Sequence, residues 1–320
     1  MSEGTVSAMA GQSVEGLLRQ ELAHAEALLG TIPPILRHLL ANDDHSVFSD
    51  EIIARVRGMM EHLARQLLDA LTEAAGEGER LDHEGLAVTT LVDGLVAHQA
   101  FLTHIHALAL EWQLTERLQG RLALDPVLSP LLQTLIAAPD GETAGKAVAL
   151  LAAQARFAQA QRRMEHPLSE LPGDLFQVAV LAMHGFAGAE QAEPAERAER
   201  ALRDRCDPAR NRLGLLIQVI GRMGGDAVAA LSAPHAGVAL FVTALALAAG
   251  QDRDLTVLAT NEGQVARLAV ALRSAGLRPG QVEEQFAALH PDVSLPDGFE
   301  QLGADRAAAL LSTASRAAGA

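Results

Sequence analysis

Apolar residues recur at helical spacing through nearly the whole chain, and no segment alternates between apolar and polar residues as a strand does. Residues at this spacing share one face of an α-helix. Aromatic residues, which favour strands, make up only 3% of the chain, and tyrosine is absent. The sequence therefore predicts an all-α protein, either a helical bundle or HEAT-like stacked helical hairpins. The clearest apolar stripe comprises Ile52, Val56, Met59, Met60, Leu63, Leu67 and Leu71.

Glycine and proline residues suggest where the early helices end. Gly30 is expected to stop the first helix, and Pro33 with Pro34 to begin a short second one. Asp82 is expected to open a long helix that continues to about Leu118.

An acidic, proline-containing run at 187–196 is the best candidate for a linker. We therefore place a domain boundary near residue 190. This predicts an N-terminal helical domain at 1–190 and a C-terminal helical domain at 191–320.

One uncharged segment, 227–251, raises the question of a membrane span. Its continuous apolar part, Gly237 to Gly250, is about 14 residues, which is short of the ~20 that a span needs. We predict that it forms a buried central helix. The first twelve residues contain no apolar run typical of a signal peptide, so a cytoplasmic location is expected.

The formal net charge is −15 at pH 7. This charge repels nucleic acid and anionic lipid, and it favours protein partners. The single cysteine, Cys206, excludes an intramolecular disulfide and a cysteine-rich zinc site. Nearby arginines and a helix start would lower the pKa of its thiol, so a redox role is one alternative.

A histidine-rich helix offers the most suggestive chemistry. At about 100° per residue, His98 shares a face with Leu102 and is expected to be a core histidine. His104 and Glu111 share another face with Asp93. That face supplies part of a metal site, an acid–base pair, or simply the polar edge of an amphipathic helix.

Glu21 and His24 form a Glu-x-x-His pair, which is half of the motif found in di-iron helical bundles. A second copy is missing, so these residues are expected to form a surface pair. They remain weak metal-ligand candidates with His104 and Glu111. His166 precedes Pro167 and is expected in a turn, which argues against a phosphoacceptor role. No cofactor and no catalytic residue are predicted.

The run from Leu124 to Leu175, which begins LDPVLSPLLQTLIAAPDGETAG, and the later HAGVALFVTALALA resemble an uncharacterised family of all-helical bacterial proteins. That resemblance implies helical hairpins and assigns no chemistry. The segments TIPPILRHLL and DPVLSPLL also resemble HDOD signalling domains, which are all-helical.

Three functions are consistent with these features. The first is a non-enzymatic protein-interaction or scaffold protein, with a regulatory or signalling role. The second is a small-molecule or lipid-binding protein with an aliphatic interior. The third is a metal-dependent enzyme that uses the early histidines and glutamates.

Overall fold

The structure is a computed structural model that describes residues 13–41, 50–76 and 85–318. Within these ranges the chain forms fourteen α-helices and no strand, which confirms the all-α prediction. The arrangement is a helical bundle. The helices are α1 Val14–Ala41, α2 Asp50–Ala75, α3 Leu86–Val96, α4 Gln99–Leu122, α5 Pro130–Ile136, α6 Gly141–Arg162, α7 Gly173–Ala187, α8 Ala192–Arg205, α9 Arg212–Met223, α10 Ala233–Ala249, α11 Arg253–Leu258, α12 Val265–Ser274, α13 Pro279–Leu289 and α14 Ala304–Ala318.

The predicted break in the first helix is wrong. Helix α1 runs without interruption through Gly30, Pro33 and Pro34. Each proline removes one backbone donor from the helix interior. Beyond the prolines, Leu36 and Leu39 are buried in the core. Tertiary packing therefore outweighs the local preference for a break.

The predicted long helix is also wrong, because the chain bends by 99° between α3 and α4. His98 caps α4 with an extended backbone (φ −89°, ψ 108°), and its side chain is exposed rather than part of the core. The bend lets α3 pack against α2 and α7 while α4 packs against α10 and α11. Leu91, Leu95, Leu102 and Ile105 are buried on the two sides of the bend, as the sequence predicts.

Helix α10 lies at the centre of the bundle and packs against α4, α5, α9, α11 and α12. Its residues from Val238 to Ala246 are buried, which confirms the predicted central helix. One apolar cluster contains buried residues from both sides of position 190, for example Leu63 and Leu216. The two-domain division and the HEAT-like stacking stay predictions.

Among the described helices, one stretch, Arg212–Leu231, is long and apolar enough to cross a membrane by length and composition alone. It comprises α9 and the 3-10 segment Gly224–Leu231. The stretch begins with a buried, ion-paired arginine. A single helix of this kind is weak support for a span, because core helices of other proteins pass the same test.

Candidate functional site

A glutamate with no exposed side chain holds two arginines in the middle of the bundle. Glu111 on α4 bonds through Oε1 to Nη2 of Arg212, the first residue of α9. Its Oε2 accepts a hydrogen bond from Arg253 Nη2 at 3.0 Å, across from α11. Arg212 Nε also donates to Gln154 Oε1 on α6 at 2.7 Å. Three helices therefore meet at one carboxylate, and Arg212 joins a fourth, α6, to them.

Opposing effects set the ionisation of this cluster. Burial alone would raise the pKa of Glu111, but the guanidinium groups of Arg212 and Arg253 lower it to about 2. Burial lowers the pKa of Arg212, and the attraction of Glu111 opposes that effect. The carboxylate is therefore ionised at neutral pH, and the cluster carries two cations for one central anion.

A histidine–aspartate pair lies beside this cluster. His104 Nδ1 donates to Asp254 Oδ2 at 2.7 Å, and Asp254 follows Arg253 on α11. Burial raises the pKa of Asp254, but the neighbouring His104 outweighs it and the net shift is downward. The Nε2 atom of His104 is buried without a hydrogen-bond partner.

A second buried histidine, His166, faces His104 edge to face with ring centroids 6.2 Å apart. Gln66 on α2 fixes the backbone around it: Gln66 Nε2 donates to the His166 carbonyl at 2.9 Å, and Gln66 Oε1 accepts from the Leu168 amide at 3.0 Å. Burial holds the pKa of His166 well below its usual value. Its Nε2 atom is also buried without a partner.

Close packing between α2 and the chain after α6 positions the turn that carries His166. A Cβ atom added at Gly58 on α2 would lie 2.8 Å from the Met164 carbonyl oxygen and 2.7 Å from its Cβ. Only glycine allows the approach. Met164 itself has a positive φ of 57°, which reverses the chain after α6 and delivers His166 to the interior.

A cavity of about 120 Å³ opens beside His166 between α4, α6 and α9, and we call it the α6–α9 cavity. Arg212 forms part of its wall and lies 3.7 Å from the ring centroid of Phe157. Glu170 Oε2 accepts a hydrogen bond from the Arg212 amide at 2.7 Å. Exposed side chains of Arg156 and Ser169 form its mouth. The lining residues are Leu108, Arg156, Phe157, Ala160, His166, Pro167, Ser169, Glu170, Arg212 and Leu213.

Of the residues that the sequence singled out, some are buried in the bundle and others are exposed on its surface. The alternative that His104 and Glu111 form the polar edge of an amphipathic helix is wrong, because Glu111 is buried in the charged cluster and His104 is buried beside it. Asp93 is exposed and stays outside it. Glu21 and His24 are exposed on α1, as expected of a surface pair. Within the described residues no three metal-ligating side chains come together, and the metal hypothesis stays a prediction.

Sequence reasoning missed Arg212, Arg253, Asp254 and Glu170. Each has an ordinary helix-end or surface context in the sequence, and only the fold brings them to Glu111 and His104. His166 was correctly placed in a turn, but nothing in its sequence context indicated burial. Cys206 is a correction, because burial raises the pKa of its thiol and outweighs the attraction of Arg203.

The pH dependence expected of a buried histidine belongs to His106 rather than the exposed His98. Burial lowers the pKa of His106 to about 4. Between its unfolded pKa of ~6.5 and that value, the unfolded chain binds a proton that the folded chain does not. Stability is therefore lost as pH falls through this window, and His106→Gln should reduce that loss by about 3 kcal/mol. Urea denaturation at pH 7, 5.5 and 4 measures it. If the variant lost as much stability between pH 7 and pH 4 as the wild type does, the assignment to His106 would be wrong.

No protein-family model, no curated protein and no solved structure matches this chain.

Proposed function

We propose that this protein binds a small zwitterionic molecule in the α6–α9 cavity. The observation that carries the proposal is the cavity wall, which combines apolar side chains and the buried His166 with charged residues of both signs. A cavity lined by apolar side chains and a few convergent polar groups is typical of a ligand site. The proposal is the small-molecule alternative among the three functions that the sequence allows.

The charged groups can meet both ends of a zwitterion. Arg156 at the mouth has no ion pair or hydrogen bond through its side chain among the described residues, so it is available to a carboxylate. Glu170 uses Oε2 for the Arg212 amide, while its Oε1 accepts no hydrogen bond from any described residue. That oxygen can accept from an ammonium group. Phe157, Leu108 and Leu213 supply the apolar wall between the two ends.

The volume limits the size of the ligand. A cavity of about 150 Å³ holds benzene, which has six non-hydrogen atoms. The α6–α9 cavity, at about 120 Å³, is slightly smaller. We therefore expect a ligand of about six non-hydrogen atoms. Alanine has this size and carries both charges, so it is the first probe, with glycine and serine beside it.

Isothermal titration with alanine, propionate and ethylamine tests the proposal, because the last two each lack one charged group. We expect saturable binding of the amino acid, and much weaker binding of the other two. Arg156→Gln and Glu170→Gln should each weaken alanine binding at least about tenfold, since each removes a charge-assisted hydrogen bond.

Arg163→Gln is the matched control, because Arg163 is exposed at the end of α6 and lies outside the cavity lining. It should bind alanine like the wild type. The proposal is wrong if none of glycine, alanine and serine binds, or if propionate binds as tightly as alanine.

A protein-interaction function is the second candidate, and one observation favours it. Lys146, Arg156 and Arg210 line a surface groove of about 470 Å³ on α6 and the loop before α9, and no described residue pairs with their side chains. On a chain of net charge −15, such a groove suits an acidic segment of a partner protein. A regulatory role and a cytoplasmic location stay part of this proposal.

A further inference from the structure

A second and larger cavity lies on another side of the bundle. It is lined by α1, by the start of α4, and by residues of α11 and α14. This cavity, which we call the α1–α14 groove, has a volume of about 550 Å³. Most of its exposed wall is apolar. Its lining residues are Arg19, Leu22, Ala23, Glu26, Ala27, Leu29, Gly30, Ile32, Pro33, Gln99, Thr103, Leu255, Leu258, Leu310, Thr313 and Ala314.

Two charged residues line this groove, and only one of them has an oppositely charged partner. The carboxylate of Glu26 bonds to the guanidinium of Arg267, whose side chain is buried. Arg19 is exposed and makes no ion pair or side-chain hydrogen bond with any described residue. The groove therefore presents an aliphatic channel with a single unbalanced positive charge at its edge.

We propose that the α1–α14 groove binds a long-chain carboxylate, with the acyl chain along the aliphatic wall and the carboxylate at Arg19. Sites for ligands larger than an amino acid combine a mainly apolar lining with a small number of polar groups that fix orientation, and they span about 300–1,000 Å³. The apolar chain contributes most of the binding, since burial of each CH₂ group is favourable. The cation selects the charge of the head group.

The charge and the lining argue for a long-chain carboxylate as the occupant. One cation without a partner among the described residues, beside an aliphatic wall, matches one anionic head group and one apolar tail. The groove holds about 550 Å³, and an extended acyl chain fits within it. The two proposed sites share no lining residue, so the groove proposal does not depend on the zwitterion site.

Titration with a head-group series tests the proposal. Dodecanoate, dodecanol and dodecylamine have the same chain with a negative, neutral and positive head, and each is used below the concentration at which it aggregates. We expect saturable 1:1 binding in the order dodecanoate, dodecanol, dodecylamine. Arg19→Gln should weaken dodecanoate binding about fivefold and leave dodecanol unchanged, because the cation acts only on the charged head.

Gly30→Leu tests the channel itself. A Cβ atom at Gly30 would meet nothing within 4 Å, so the new side chain projects into open space in the groove. Leucine also favours a helix more than glycine does, so the variant should fold. We expect all three ligands to bind at least tenfold more weakly. Gly120→Leu is the matched control, since Gly120 is an equally open helical glycine outside the groove, and its variant should bind like the wild type.

Three results would overturn the proposal. The first is the absence of saturable dodecanoate binding to the wild-type chain. The second is equal weakening of dodecanoate and dodecanol by Arg19→Gln, which would remove the cation from head-group recognition. The third is a wild-type dimer in native mass spectrometry that Gly30→Leu converts to monomer, which would assign the groove to a second copy of this chain.

Discussion

Glu111→Ala should destabilise the protein by about 3–5 kcal/mol. The substitution leaves Arg212 and Arg253 with two positive charges in the interior and removes the carboxylate that both of them contact. An uncompensated buried charge loses its hydration without gaining a partner. Urea denaturation measures the effect as a lower midpoint at constant slope.

Glu116→Ala is the matched control on the same helix. The Glu116 side chain is about half exposed and lies 3.8 Å from Arg55. Arg55 keeps its ion pair with Glu51 at 2.8 Å in this variant, so the loss of the partly exposed Glu116 should cost less than about 1 kcal/mol. Equal losses for Glu111→Ala and Glu116→Ala would contradict the buried cluster.

A triple variant separates stability from function at the same cluster. Replacing Glu111 by Leu and both Arg212 and Arg253 by Met removes all three charges together. Such replacements of a buried ion network are often neutral or stabilising. We therefore expect the triple variant to recover most of the stability lost in Glu111→Ala, but to lose zwitterion binding, because Arg212 forms part of the cavity wall.

Leu63→Ala should cost about 2–5 kcal/mol. Leu63 has no exposed surface and belongs to the stripe of α2 that faces the main apolar cluster. Truncation removes buried methyl groups and leaves a void that the close-packed surroundings fill only in part. Thermal and urea denaturation of the purified variant measure the loss.

The companion variant is Glu61→Ala, two residues earlier on the opposite side of the helix. Glu61 is partly exposed and pairs with Arg65 at 2.7 Å, as its i,i+4 spacing predicts. Its removal should cost less than about 1 kcal/mol. If the two variants lost similar stability, the assignment of the buried face of α2 would be wrong.

Stability by itself does not require the charges of the buried cluster. Replacing a buried ion network by apolar residues of similar volume is often neutral or stabilising, because every buried charged group loses its hydration. His104 and His166 add buried nitrogen atoms without partners. Groups of this kind concentrate at binding and catalytic sites. This agrees with the ligand site proposed at the α6–α9 cavity.

Local sequence preference decided some helix ends and not others. Asp140 caps α6, and its carboxylate accepts a hydrogen bond from the Thr143 amide at 3.1 Å, as local preference at a helix start favours. At Pro33 and His98 the same kind of reasoning was wrong. In both cases residues distant in sequence pack against the segment, and that packing outweighs a local preference of a few kcal/mol at most.

The sequence by itself determined the fold class, the buried stripe of α2 and the central position of α10. Apolar spacing is a property of the chain alone, and burial of an aliphatic face follows from it. Only the tertiary structure decided which polar residues are buried together. Arg212 and Arg253 follow Glu111 by 101 and 142 positions in the sequence. Helical periodicity places each of them on a face of its own helix, but their meeting depends on how the helices pack.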